Sequence, residues 1–530
     1  MSAAAPAARP AATVAVAGGV PFGHALAAEL VRTRHSASAR FPVAGLVIAL
    51  LQGAGWWFVA TRDVTGWAQL FGWQSIYATG LLAPLVALLA GFTVGREKAA
   101  REGGTLWRPL APAVGWLARA TVLAGQSLAF NAALVLPVLG LGVAKGLTGA
   151  PVARLVALTV VCWLTSLPVA AWALLVARRA GMIVAVALAL AWQVAGVLRA
   201  EGPTWAVEPW TWPVRAMMPL LGIHPNAMAL DPGSPVWAWD PWSPALGCVG
   251  LAVALGLLDA LTAGRLRDRR PRRILFGRDA RDTPDARGAA ADAGASPALL
   301  TPDDAVAAAD VALHSVRRGR PAPLVGLAAS LLRTAIAPLL LAALVAIPAV
   351  GVLWNAAYVR GFSGWLVVPL GSCLLACLLW AAQQDAWRVL ALRHAPAALA
   401  GRLLALGALA VTAVAGEAAL VAGLRGDPDA VRFGVVLAAV GLAWLVLCLA
   451  LVTRVGAGAE IGVTLLALVF SLVFGGTWLS RTPVWLVGVL GWPASADDLP
   501  RAALAVGLCA LLALAGGLAW VRGLRAAASR

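Results

Sequence analysis

The chain has 530 residues, 61% of them apolar and only 12% charged, with a mean hydropathy of +0.84, whereas soluble domains run near half apolar and a quarter charged. Six cysteines without an extracytoplasmic cluster exclude a disulfide-stapled secreted scaffold, and the lack of a long polar block excludes a large soluble catalytic domain. The formal charge of +17, from 41 Lys and Arg against 24 Asp and Glu, reads as membrane topology rather than as a nucleic-acid footprint, because polytopic proteins keep their cations in cytoplasmic loops.

Residues 1–21 are Ala/Pro-rich, with no charged n-region and no spanning run, and are expected to form a disordered cytoplasmic tail. Apolar runs near 20 residues long then predict six membrane spans, at about 41–60, 74–95, 121–143, 152–176, 181–199 and 244–263. Six more follow at about 335–354, 364–382, 402–424, 434–453, 457–479 and 503–521. The predicted fold is therefore all-α and polytopic, with twelve transmembrane helices. Arginines concentrate in alternate loops: Arg32, Arg34 and Arg40, then Arg96, Arg101 and Arg108, then Arg178 and Arg179, then the block after span six. That side is expected to be cytoplasmic, with both termini on it, in a multi-pass plasma-membrane protein.

The interval 264–323 is the one long linker, and it carries eight arginines between Arg265 and Arg281, suited to anionic lipid at about 1 kcal/mol per cation. Within it TPDDAVAAADVALHSVRRG reads as a short helix: Thr301 caps it, Pro302 sits at N1, Arg317 and Arg318 meet its negative end, and Gly319 stops it.

Landmarks recur across the two halves. LAAELVRT (26–33) precedes span one and LAASLLRT (327–334) precedes span seven, matching at six of eight positions. Trp107-Arg108 between spans two and three aligns with Trp387-Arg388 between eight and nine at an offset of 280, and Gly222 before span six aligns with Gly491 before span twelve at an offset of 269. Two six-span repeats in parallel topology are the expected organisation, over 22–263 and 324–530.

These pieces resemble the membrane subunits of ABC transporters of the ABC-2 export type. HALAAELVRTRH is similar to that family's elbow helix, REKAAREGGTLWRPLAPAVGWLARA to its coupling loop, and TWPVRAMMPLLGIHPNAMAL to its broken segment on the outer side before span six. Glu102, Gly104 and Thr105, followed by a Pro-containing stretch, resemble the antibiotic and lantibiotic-immunity permeases. The resemblance implies an exporter of an amphiphilic antibiotic, peptide or lipid. It also implies a separate cytoplasmic ABC ATPase, in two copies, that would dock on Glu102, Gly104, Thr105, Trp107, Arg108, Trp387 and Arg388. The elbow residues would be Glu29, Arg32 and Arg333. In the second half Gln384, Asp385 and Ala386 stand in place of the Glu-x-Gly-Thr step.

Read without the family, the 96–120 loop still places Arg101, Glu102, Trp107 and Arg108 on the arginine-rich face, where they suit either a docking surface or an interfacial helix at headgroup depth. The chain carries no phosphate cradle of its own. Gly18 to Gly23 has the spacing of one, but His24 and Ala25 replace the Lys and hydroxyl. The chain is thus expected to be no enzyme and to bind no cofactor, with ATP and Mg on the partner.

Glu417 is the one carboxylate expected well inside a span, and with Gln126, Asn131 and Gln193 it is a candidate for the translocation path, against a purely structural role. Segment 201–243 carries six tryptophans, among them Trp210 and Trp212, and reads as an interfacial belt or, with His224, as an outer gate. No metal site is expected, and all six cysteines read as small apolar fillers. Two alternatives stay open. A lipid-linked glycosyltransferase would need working carboxylates among Asp63, Glu208, Asp240, Asp497 and Asp498, and an ion-coupled secondary transporter would need buried charge.

Overall fold

In the computed structural model the described residues are 20–59, 66–102, 112–267, 336–353, 355–384, 396–476 and 478–529, together with Leu331, Thr334 and Trp387. Twelve of their helices are long and apolar enough to cross a membrane, from Ala37–Trp57 to Leu499–Ala527. The fold is all-α. Among the described residues the only extended pairing is an isolated bridge between Ile223 and Ala229. A lipid-facing backbone has no water to bond, so only helices satisfy their own N–H and C=O groups.

The chain divides into two compact units, Met1–Ala263 and Gly264–Arg530. The first contains α1 (Phe22–Thr33), α2 (Phe41–Val59), α3 (Trp67–Gly72), α4 (Leu82–Glu102), α5 (Pro112–Val135), α6 (Pro137–Ala144), α7 (Val152–Ala180), α8 (Met182–Arg199), α9 (Trp212–Leu221) and α10 (Trp242–Arg267). Its interior is built on the second and fourth spans, whose apolar windows are 72% and 56% buried against 22% for the sixth. There α4 packs on α7 and α8, and α5 joins α2 to α7.

The second unit contains α11 (Ile336–Leu353), α12 (Ala356–Phe362), α13 (Val368–Ala381), α14 (Pro396–Leu424), α15 (Ala430–Val455), α16 (Ala457–Gly475), α17 (Trp492–Ser495) and α18 (Leu499–Ser529). Its internal packing follows the same plan: α13 lies on α15 and α16, and α14 joins α11 to α15. One difference is strong packing of α18 on α15. The interval 268–330, with the expected Thr301–Gly319 helix, and residues 1–19 lie outside the described residues.

Two local devices recur. A single turn of π-helix leads into the second span of each unit, at Tyr77–Leu81 and Ser363–Val367. Each is closely followed by a proline, Pro84 or Pro369. The fourth and fifth spans of each unit are joined by one glycine in nearly the same conformation, Gly181 at φ 91° and ψ 164° and Gly456 at φ 89° and ψ 164°. That region is open essentially to glycine alone.

Gly181→Ala and Gly456→Ala are therefore expected to destabilise by about 1–3 kcal/mol each. Gly125→Ala, at an exposed helical position with nothing near the added methyl, is expected to be neutral or stabilising by up to about 1 kcal/mol. Thermal unfolding of the detergent-solubilised protein compares the three.

Candidate functional site

The arginine-rich end of the first unit holds a ladder of buried charge. The buried face of α1 presents Ala25, Glu29 and Thr33, and Glu29 pairs with Arg96 near the end of α4 and with Arg32 at 3.0 Å. Arg96 also donates to the hydroxyls of Thr33 at 2.8 Å, Ser36 at 3.2 Å and Ser38 at 3.4 Å, and Gln126 reaches Ser38 at 3.5 Å. The next residue of α4, Glu97, pairs with Arg119 of α5. Thus α4 and α5, which flank the 103–111 interval, are clamped to α1 and to each other. Gly104, Thr105, Trp107 and Arg108 lie in that interval, outside the described residues, and Glu102 ends α4.

The ladder continues through Asp259, fully buried in α10, which accepts from Arg178 Nη1 of α7 at 2.7 Å and from Trp116 Nε1 of α5 at 2.8 Å. Arg179 stands 3.8 Å away and donates to Thr262 at 2.6 Å. Asp259 corrects the expectation that Glu417 is the one carboxylate inside a span. In the sequence it looks like a residue at the end of a run, but α10 continues past it to Arg267 and keeps it covered.

The expected path residues behave differently from one another. Asn131 accepts from Tyr77 Oη at 2.8 Å and donates to Ser127 O at 2.8 Å. Gln193 spans the π turn, donating to Ala78 O at 2.9 Å and accepting from Ala83 N at 3.0 Å. Both amides are spent on the fold, as polar side chains between membrane helices usually are. Glu417 is half-buried in α14, and its Oε2 is covered without a hydrogen-bond partner. Gln52 of α2, outside the expected path, is fully buried with both amide atoms unpartnered, and so is Trp56 Nε1 one turn on. Leaving such groups unpaired costs about 1–3 kcal/mol each.

In the second unit Glu460, fully buried in the first turn of α16, accepts on Oε2 from the thiols of Cys377 at 2.7 Å and Cys373 at 3.3 Å, and on Oε1 from Thr464 at 3.5 Å. Cys373 and Cys377 are therefore thiol donors to a buried acid and not mere apolar fillers. Glu460 is a second intramembrane carboxylate that the sequence reading passed over. No described group of His, Cys, Asp and Glu is placed to hold a metal ion. Trp387 is buried, donating to Leu524 O at 3.1 Å and packing on Trp380 with ring centroids 5.6 Å apart. Its ring is thus tied to α18. Arg388 and Arg333 lie outside the described residues.

At the opposite end, the segment before each last span is broken in the same way. Trp212 Nε1 donates to Trp205 O at 3.0 Å, and Trp492 Nε1 to Trp485 O at 3.1 Å. Each pair has the spacing W-x6-W-P and stands 280 residues from the other. An arginine lies over the first indole of each, Arg215 at 4.3 Å from Trp205 and Arg501 at 5.6 Å from Trp485. The expected pairing of Gly222 with Gly491 does not hold in conformation. Gly222 is a left-handed cap after α9 at φ 72°, whereas Gly491 leads into α17 at φ −90°.

Trp210 is 38% exposed, while Trp212 packs against Gly247 of α10. His224 Nδ1 lies 2.6 Å from Glu201. Of the carboxylates a glycosyltransferase would need, Asp240 caps Trp242 N and Ser243 N at the start of α10. Asp497 and Asp498 pair with Arg501, Glu208 pairs with Arg199 at 2.9 Å, and Asp63 lies outside the described residues. Hydrogen bonds from Arg199 and Thr204 hold the Glu208 carboxyl down at about 2.

The fold defines a multi-pass membrane protein of transporter-like architecture. The chain matches no family model and no curated protein.

Asp259→Ala leaves Arg178 buried without its partner and is expected to cost about 3–5 kcal/mol, read as a lowered unfolding midpoint. Because the folded pKa of Glu208 lies below the ordinary carboxylate value of about 4.3, its pairing stabilises fully above that value and is lost as pH falls towards 2. Hydrogen-exchange protection of residues 205–212, corrected for intrinsic rate, is expected to be flat from about pH 8 to 5 and to fall below about pH 4. Glu208→Gln should lower it above about pH 4 and remove the fall at acid pH.

Proposed function

We propose that this chain is the membrane subunit of an ATP-binding cassette exporter, two six-span permease units fused in one polypeptide, which moves an amphiphilic antibiotic, peptide or lipid across the plasma membrane. The observation that carries the reading is the clamp at the arginine-rich, cytoplasmic end. The elbow α1 is tied by Glu29 to Arg96, and α4 and α5, which flank the 103–111 loop, are tied by Glu97 and Arg119. A loop that must transmit force from a docked ATPase needs both flanks held against the spans. Asp259, Arg178 and Trp116 would extend that force to the fourth and sixth spans. The recurrent π turns, single-glycine links and W-x6-W-P segments support a duplicated permease unit.

ATP and Mg belong to a separate cytoplasmic ABC ATPase. Its principal docking surface is the 103–111 loop of the first unit, since the second unit's Trp387 is buried. Ion-coupled secondary transport is the second reading, and the buried acid Glu460, with thiols and no cation among its bonded partners, is the observation in its favour. The enzyme reading has the least support, because the described outer-end carboxylates serve as caps and ion pairs.

The test is co-purification of the tagged chain with each ABC ATPase of its own genome. One ATPase is expected to form a complex whose hydrolysis the chain stimulates, and Glu102→Ala combined with Trp107→Ala should reduce that stimulation about 5- to 150-fold. Folded, monodisperse chain that binds none of them would overturn the proposal.

A further inference from the structure

The second helix, α2, turns one stripe inward: Phe41, Gly45, Ile48, Ala49, Gln52, Gly53 and Trp56 are all buried. The stripe is tight. A Cβ at Gly45 would lie 2.6 Å from Phe130 O, and one at Gly53 would lie 2.2 Å from the Leu141 side chain. Small residues of this kind bring membrane helices close, and Gln52 stands beside one of them. Its two amide atoms have no hydrogen-bond partner among the described residues, and the indole N–H of Trp56, one turn along the same stripe, has none either. Asn131 and Gln193 of the same unit, equally enclosed, satisfy their amides within the fold.

An amide and an indole kept unpaired side by side at such a tight face have the character of a recognition site. Together they offer two kinds of N–H donor and one carbonyl acceptor, set among Ile48 and Ala49. No charged residue lies on the stripe itself. A hydroxyl or secondary amide can accept from the donors and donate to the carbonyl at once.

We propose that Gln52 and Trp56 are the polar contact of a binding site in the first unit for an amphiphile, which they take by a hydroxyl or secondary amide group on an apolar chain. The proposal rests on the exporter reading for calling that amphiphile the cargo. The binding itself can be tested without any ATPase.

The probe is a long-chain alcohol carrying a photoreactive diazirine, compared with the hydrocarbon of the same chain and label, in lipid nanodiscs holding the full chain. After irradiation, labelling of the peptide spanning residues 41–59 is read by mass spectrometry. The alcohol is expected to label that peptide about five-fold more than the hydrocarbon, the worth of one or two hydrogen bonds. Gln52→Leu should abolish the preference, and Trp56→Phe, which keeps the bulk and removes the N–H, should weaken it. Equal labelling by both probes in the wild type, or an unchanged preference in both variants, would overturn the proposal. Loss of the ATPase complex would refute the exporter reading and leave this result standing.

Discussion

A charge carried into a bilayer must bring its partner with it, and the first unit is organised around that requirement. Asp259 is enclosed on α10 and would be untenable alone. Arg178 and Trp116 neutralise and bond it, and in doing so they fix the relative positions of α5, α7 and α10. Glu97 and Arg119 bind α4 to α5, and Glu29 and Arg96 bind α1 to α4. Truncating one member of such a pair costs more than the pair itself contributes, because the remaining charge cannot reach water. The ends of the helices are thereby held in one arrangement, and α4 and α5 are braced against each other.

The second unit solves the same problem differently. Its buried acid, Glu460, is met by thiols and a hydroxyl instead of guanidinium groups, and its loop tryptophan is turned into the fold against α18. The two units share a packing plan, a π turn, a glycine link and a tryptophan-tied segment, while the polar ladder is seen among the described residues of the first unit. Under the exporter reading this makes the units unequal in coupling, with the first built to receive force and the second built to hold the fold. At the other end the indole that reaches back seven residues satisfies a carbonyl in a segment too irregular to satisfy its own.

The twelve spans were legible because hydropathy over 20 residues is a bulk property, insensitive to the placement of any one side chain. The helix before the first span was marked by the agreement of 26–33 with 327–334 and by its likeness to a permease elbow. What the sequence concealed depends on which way a residue faces near a span end. Asp259 and Glu460 each sit close to the end of a run, where a carboxylate at the interface and one under the helices have the same local pattern. Cys373 and Cys377 look like fillers until Glu460, more than 80 residues away, is placed beside them. The W-x6-W-P spacing was present twice in the sequence at one offset, but a tryptophan-rich segment reads first as an aromatic belt. Gln52 was visible as an amide, and only the fold distinguishes an amide with partners from one without.

The claim that transport is driven by a docked ATPase, and not by an ion gradient across the buried acids, is tested most directly in inside-out vesicles. The full chain is co-expressed with its ATPase, and accumulation of an amphiphilic fluorescent dye is followed. The account predicts uptake that requires ATP and persists when an ionophore collapses the proton gradient with ATP maintained. Uptake that stops on collapse of the gradient, or that proceeds without ATP, would contradict it.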